Sequence, residues 1–141
     1  MIPKLRAWDK VGKSISSVSE ITYSGDLSYL SFVKLSGNNR LYGRESRLAD
    51  DVILMQSTGL KDKNGVEIYE GDILKLHAIF LAPDDKIGYI EYSPKYGYSI
   101  IFEGNRLYRQ EYWASTNKLN YEVIGNIYEN PELLREDTKN D

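Results

Sequence analysis

The sequence predicts an all-β protein, and three observations carry that expectation. Apolar and polar residues alternate over short runs, as a half-buried strand requires. Turn signals interrupt the chain at intervals of roughly 8 to 12 residues, the spacing of a barrel or sandwich. Finally, 12 of the 141 residues are tyrosines, a residue suited to pleated surfaces because its ring packs while its hydroxyl reaches water or a partner.

The elements follow in order. Near the start, Leu5 and Trp8 are the large apolar residues among Lys4, Arg6, Asp9 and Lys10. Trp8 is expected to anchor this segment by burying its indole. Residues 14–23 carry Ile15, Val18, Ile21 and Tyr23 and predict a strand. After a turn at Ser24-Gly25-Asp26, residues 27–35 predict a second. Ser36 to Asn39 turn again, and residues 40–44 return as a short strand, giving a hairpin or meander. The charged stretch 44–51 predicts a loop or a single helical turn. Residues 52–55 form an apolar run of strand length. Asn64-Gly65 is the strongest short-range turn signal, of type I′, in which both central residues need positive φ.

Tyr69-Glu70-Gly71-Asp72 leads into a strand over 73–80, with Leu74, Leu76, Ala78 and Phe80 on one apolar face. A turn at Pro83-Asp84-Asp85 precedes strands at 87–92, 98–103, 107–113 and 121–128, separated by turns at 93–97 and Gly104-Asn105. Asn130-Pro131-Glu132 starts a short helix: Asn caps, Pro suits the first helical position, and Glu opposes the dipole. Leu133 and Leu134 dock it, and residues 135–141 form a polar, frayed tail.

Composition narrows the function. The 18 basic and 21 acidic residues leave a formal net charge of −3, which argues against tight binding to duplex DNA, since phosphate contacts need surplus Lys and Arg. The absence of cysteine excludes a disulfide scaffold, a thiolate zinc site and a cysteine nucleophile. No apolar stretch approaches the ~20 residues of a membrane helix, and no signal-peptide core follows the early charges. A cytoplasmic protein without membrane association is expected.

The residues capable of chemistry are few. His77 is the only histidine and reads as a strand residue, because metal sites usually combine several His or Cys. Asp62-Lys63-Asn64-Gly65 fails as a calcium loop, since Leu60 would occupy the first ligand position. Glu67, Glu70 and Asp72 are close in sequence, and paired carboxylates do acid–base work or hold magnesium, but short polar loops carry such residues by default. No P-loop or dinucleotide fingerprint is present. No catalytic residue, metal site or cofactor is expected. A stretch mixing rings and cations is the best binding candidate: Tyr89, Tyr92, Tyr96, Tyr98, Arg106, Tyr108, Arg109, Tyr112 and Trp113. Tyr, Trp and Arg dominate protein interfaces, whereas the interleaved Glu91, Glu103 and Glu111 weaken any field for nucleic acid.

Three blocks carry a family resemblance. The first runs from Ile2 through Trp8 to Lys10. The second runs from Leu54 through Thr58-Gly59-Leu60, Asn64-Gly65 and Tyr69 to Gly71-Asp72-Ile73. The third runs from Val123 through Gly125-Asn126, Tyr128 and Asn130-Pro131 to Leu134. Together they resemble the YopX family of phage and prophage proteins. Ser57 stands where that family usually has an aromatic residue. The resemblance implies an SH3-like small barrel over 51–134, an N-terminal β region over 1–50 and a tail over 135–141. It implies encoding in a phage or prophage, and it supplies no catalytic residues. The motif positions Trp8, Thr58, Gly59, Leu60, Asn64, Gly65, Tyr69, Gly71, Asp72, Gly125, Asn126, Tyr128, Asn130 and Pro131 are expected to be structural. The leading expectation is a non-enzymatic accessory protein that binds an unidentified protein partner, self-association included. The alternative is a nucleic-acid-associated small-barrel module, by analogy of fold alone. A hydrolase or nuclease using Glu67, Glu70 and Asp72 stands third.

Overall fold

The computed structural model describes residues 4–22, 32–36, 45–77, 86–113 and 121–138. The chain divides into two compact units, Met1–Gln56 and Ser57–Asp141. Described strand pairings are all antiparallel, so the all-β expectation holds. The division expected at 50/51 falls inside a strand instead, because one continuous strand pairs in the first unit with its first half and in the second unit with its second.

The first unit contains β1 (Leu5–Asp9), β2 (Ser14–Thr22), β3 (Phe32–Ser36), β4 (Glu45–Leu48) and the first half of β5 (Val52–Lys61), in the order β4-β3-β2-β1-β5. Residues opposed across antiparallel strands share a face. Ala7 opposes Ser16 and Leu54, and Asp9 opposes Ser14 and Val52. On that face Ala7 and Val52 form a buried cluster with Val18 and Ile21 packed against it. A bulge between Val18 and Glu20 is what keeps Ile21 on the Val18 side: their partners, Val33 and Leu35, lie two apart on β3.

Trp8 points the other way. It lies between Ile15 and Ile53 on the opposite face, and all three are half-buried. The expected deep anchor is therefore not Trp8; the enclosed residues of β1 are its neighbours Ala7 and Asp9. The charged stretch after 44 also differs from expectation. Residues 45–48 form β4, and only Ala49–Asp51 make a helical turn. Charge there is compatible with an edge strand, which needs just one paired side. The strand expected at 40–44, and the start of the one expected at 27–35, lie outside the described residues.

The second unit pairs the end of β5 with β6 (Glu67–Tyr69). It also holds a sheet of β7 (Asp72–Leu76), β8 (Lys86–Ser93), β9 (Gly97–Phe102), β10 (Arg106–Tyr108) and β11 (Tyr121–Asn126), ordered β10-β9-β8-β7-β11. Ile68, Leu74, Ile90, Ile100, Trp113 and Tyr121 form its buried core. Leu74 opposes Gly88, and Gly88 opposes Phe102. Gly88 is required there: a Cβ would sit 2.6 Å from the Ile101 carbonyl oxygen and 2.7 Å from Ile100 Cγ2. Because a backbone atom cannot swing aside, Gly88→Ala is expected to cost about 1–3 kcal/mol, measured as a lower urea midpoint.

Several local expectations change. Ile73 is as enclosed as Leu74, so β7 is covered on both faces; Ala78, Phe80 and the turn at 83–85 lie outside the described residues. Two consecutive positive φ values occur at Gly104 and Asn105 (74° and 60°), whereas at Asn64-Gly65 only the glycine is positive, at 81°. The latter turn is a wider loop closed by Asp62 N donating to Val66 O (2.8 Å). The strand expected over 107–113 stops at Tyr108, and α1 (Gln110–Trp113) follows, carrying Trp113 into the core. β11 ends at Asn126 because the Asn126 Oδ1 accepts the amides of Tyr128 and Glu129 (3.0 and 2.9 Å). Asn130 does not cap the final helix with its side chain; its Oδ1 accepts Asn126 N (3.2 Å). That 3-10 helix, Pro131–Thr138, extends into the expected tail. No helix among the described residues is long and apolar enough to cross a membrane.

Candidate functional site

Several of the motif residues bond to or shape the backbone. Thr58 Oγ1 donates to Ile68 O (2.7 Å) and accepts from Leu60 N (3.1 Å). Gly59 and Gly71 have φ of 79° and 84°, which glycine adopts without a Cβ penalty. Gly71 ties three segments: its N donates to Ile90 O (2.9 Å) and its O accepts Ile127 N (2.8 Å). Gly125 leaves room for Asn130, whose Oδ1 would lie 2.6 Å from a Cβ there.

The three neighbouring carboxylates go to separate places. Asp72 is enclosed and accepts Tyr69 N (2.7 Å). Glu67 accepts the Ser57 hydroxyl, and Glu70 lies close enough to raise the Tyr98 phenol. Among the described residues no three His, Cys, Asp or Glu side chains are placed to hold a metal. His77 Nε2 contacts Glu122 Oε1 at 2.8 Å, and Lys63 Nζ lies 3.9 Å from the same oxygen.

Two buried carboxylates escaped the sequence reading. Asp62, 5% exposed, accepts Asn64 N (2.8 Å) and Val66 N (2.9 Å) on Oδ1 and Val123 N (2.9 Å) on Oδ2. Its signal was present, since an Asp two residues before a turn commonly bonds the backbone ahead; the reach to Val123 had none. Asp9, 4% exposed, accepts Arg47 Nε and Val11 N, both at 3.0 Å. Burial pushes its carboxyl up, but the hydrogen bonds from Arg47, Gly12 and Val11 and the Arg47 charge outweigh this and hold it below its ordinary value.

The ring-and-cation stretch divides. Trp113, 1% exposed, belongs to the core and leaves the interface set: its indole N–H donates to Tyr98 O (2.7 Å) and its ring meets Tyr121 edge-on at 5.6 Å. Tyr108 packs against the same core, 6.3 Å from the Phe102 ring. Tyr89 opposes Ile101, one residue out of phase with the Tyr92–Tyr98 pair, and so lies on the other face of the sheet. There burial, then the charge of Glu91, raise its phenol. Arg106 is exposed on β10, and the Tyr112 side chain lies outside the described residues.

What converges is the tip of the β8–β9 hairpin. Tyr92, half exposed, opposes Tyr98 with ring centroids 5.0 Å apart. Burial, Glu70 and Tyr92 raise the Tyr98 phenol, in that order. Beside the pair, Lys95 Nζ and Arg109 Cζ lie 5.1 and 5.4 Å from the Tyr96 ring centre. The turn is pinned from within and from α1. Ser93 Oγ accepts Tyr96 N (3.1 Å), Gln110 Oε1 accepts Tyr98 N (2.8 Å), and Gln110 N reaches Tyr96 O (3.4 Å). Gly97, at φ 73°, is the residue that lets Gln110 approach.

Fold and site together define an all-β protein of two antiparallel units in which an exposed tyrosine, Tyr92, stands beside the partly buried Tyr96 and Tyr98 at the tip of one hairpin. The family model described as YopX protein matches residues 4–135, and the chain belongs to the YopX family. Protein EF1440 from Enterococcus faecalis is similar in structure, with a TM-score of 0.58 and 31% identity over 95% of this chain and 99% of that one. Protein yopX from Bacillus subtilis is similar in fold, with a TM-score of 0.58 and 17% identity over 93% of this chain and 95% of that one. No curated protein sequence matches.

Proposed function

We propose that this chain is a non-enzymatic phage or prophage accessory protein that acts in the bacterial cytoplasm by binding another protein through the tip of the β8–β9 hairpin. The observation that carries the reading is the exposed Tyr92 ring against Tyr98, next to Tyr96 with its two cations. Tyr and Arg are enriched among the residues that dominate interfaces. The pinned turn adds to this, since a preordered surface loses less entropy on binding. The bonds of Glu67 to the Ser57 hydroxyl and of Asp72 to the Tyr69 amide support a structural use of these carboxylates. We read the second unit as an SH3-like small barrel, supported by its five short antiparallel strands and by the loop from Asp62 that meets the outer edge of β11.

The test is a comparison of the parent with a Tyr92→Ser/Tyr96→Ser variant as bait in lysate of phage-infected host cells, followed by titration of any purified partner. A partner that binds the parent and loses about 30-fold in affinity with the variant, at an unchanged melting temperature, is the expected result; that factor corresponds to about 2 kcal/mol. Equal binding by both, or capture of nucleic acid alone, would defeat the reading.

A further inference from the structure

Asn64-Gly65 is the one Asn-Gly pair in the chain, and both residues are exposed. Such a pair carries a reaction of its own. The glycine nitrogen, once deprotonated, attacks the asparagine side-chain carbonyl carbon. A five-membered succinimide forms and ammonia leaves. Water then opens the ring at either carbonyl to give aspartate or isoaspartate, so an amide and water become an acid and ammonia. Glycine hinders the attack least of all following residues, because it has no Cβ.

The fold sets the geometry against this reaction. Gly65 N donates to Asp62 O (3.0 Å) and closes a β-turn over residues 62–65. Neither Lys63 nor Asn64 has a positive φ, and no peptide bond there is cis. Of the turns closed by this bond, only type I keeps both central residues at negative φ with trans peptides. In that turn ψ of the third residue is about 0°, which eclipses the Gly65 nitrogen with the Asn64 nitrogen. Ring closure needs it eclipsed with Asn64 Cβ instead. The connecting peptide must therefore rotate, and one residue clamps it on both sides. Asp62 Oδ1 accepts Asn64 N (2.8 Å) and Val66 N (2.9 Å), and Asp62 N donates to Val66 O (2.8 Å). Asp62 is itself buried and accepts Val123 N on Oδ2.

We propose that Asn64-Gly65 is a latent deamidation site, open in the unfolded chain and closed in the folded protein by the turn that Asp62 holds. Asp62 is a positioning residue here: it fixes the peptide that would have to rotate. The reaction is one-way, and isoaspartate adds a methylene to the backbone between residues 64 and 65. That lengthening displaces Gly65 N and Val66 N from Asp62. A chain that forms isoaspartate while unfolded therefore refolds to a less stable protein, and unfolding leaves a covalent mark. This inference does not rest on the hairpin-tip reading, because the turn and the tip of β8–β9 share no residue.

The test incubates the full chain at mildly alkaline pH, folded in buffer and unfolded in guanidinium chloride, and follows residue 64 by peptide mapping and mass spectrometry. Deamidation at Asn64 is expected to be slower in the folded chain by a factor of about ten or more, and a factor of ten corresponds to a local opening free energy of about 1.4 kcal/mol. Chains carrying isoaspartate, separated and refolded, should melt below the parent. Asp62→Ala, folded as judged by circular dichroism, should deamidate at Asn64 faster than the folded parent. Should that variant not fold, Asp62→Asn, which keeps the side-chain size and one acceptor oxygen, takes its place. Equal rates in the folded and unfolded parent would overturn the proposal. So would a folded Asp62 variant as slow as the parent, or isoaspartate chains that melt with it. If neither Asp62 variant folds, the two parent rates decide.

Discussion

Trp113→Ala should lower stability by about 3–5 kcal/mol, the usual range for truncating a buried aromatic residue. That is a large share of the roughly 5–15 kcal/mol that holds a typical domain together. The loss has three parts. The indole is among the largest fully buried side chains, so its removal opens a cavity between β9, β11 and α1. Its N–H no longer reaches Tyr98 O. The Tyr121 ring loses its edge-on neighbour, although the Tyr121 hydroxyl can still donate to the backbone carbonyl of residue 113, at 2.5 Å in the parent. Trp113→Phe separates the parts: most of the packing stays and the donor goes, for about 1–2 kcal/mol. Urea unfolding followed by circular dichroism reads both variants. A Trp113→Ala midpoint equal to the parent's would mean that α1 does not dock.

Acid should weaken the first unit through Asp9. The carboxylate is held below its ordinary value of 3.8 in the folded chain. A depressed acid contributes its full stability above the unfolded value and loses it as pH falls through the folded one. Stability should therefore be flat from neutrality to about pH 5 and then decline through pH 4 and below. Asp9→Asn should flatten that decline, because a neutral amide has no proton to take up. Asp9→Ala should cost more at pH 7, about 3 kcal/mol, since it leaves the Arg47 guanidinium, 17% exposed, without its carboxylate in a partly enclosed site. Chemical denaturation of parent and both variants between pH 3 and 7 measures this. Parallel pH profiles for parent and Asp9→Asn would remove Asp9 from the account.

The sequence by itself determined the all-β class, most strand positions and the family. Alternation and turn residues are local properties, and the turns at residues 93–97 and Gly104-Asn105 fall where glycine and asparagine put them. The same locality explains the misreadings. Leu107, Tyr108, Tyr112 and Trp113 form a β-prone run, yet the chain turns helical at Gln110 because Trp113 gains more in the core than along an edge strand. Trp8 looked like the anchor of its segment because of its size. Which face of β1 is enclosed is set by its partners on β2 and β5, and that places Ala7 and Asp9 inside. The hairpin tip was legible as composition, but its grouping was not. Tyr89 and Tyr92 are three apart in sequence and on opposite faces, whereas Tyr96 and Arg109 are 13 apart and in contact. Asp62 shows the limit most plainly. Its bonds to Asn64 and Val66 follow from sequence neighbours, while its bond to Val123, 61 residues away, exists only once β7 has brought β11 alongside the loop, because long-range hydrogen bonds are fixed by which strands pair and not by the residues near them in the chain.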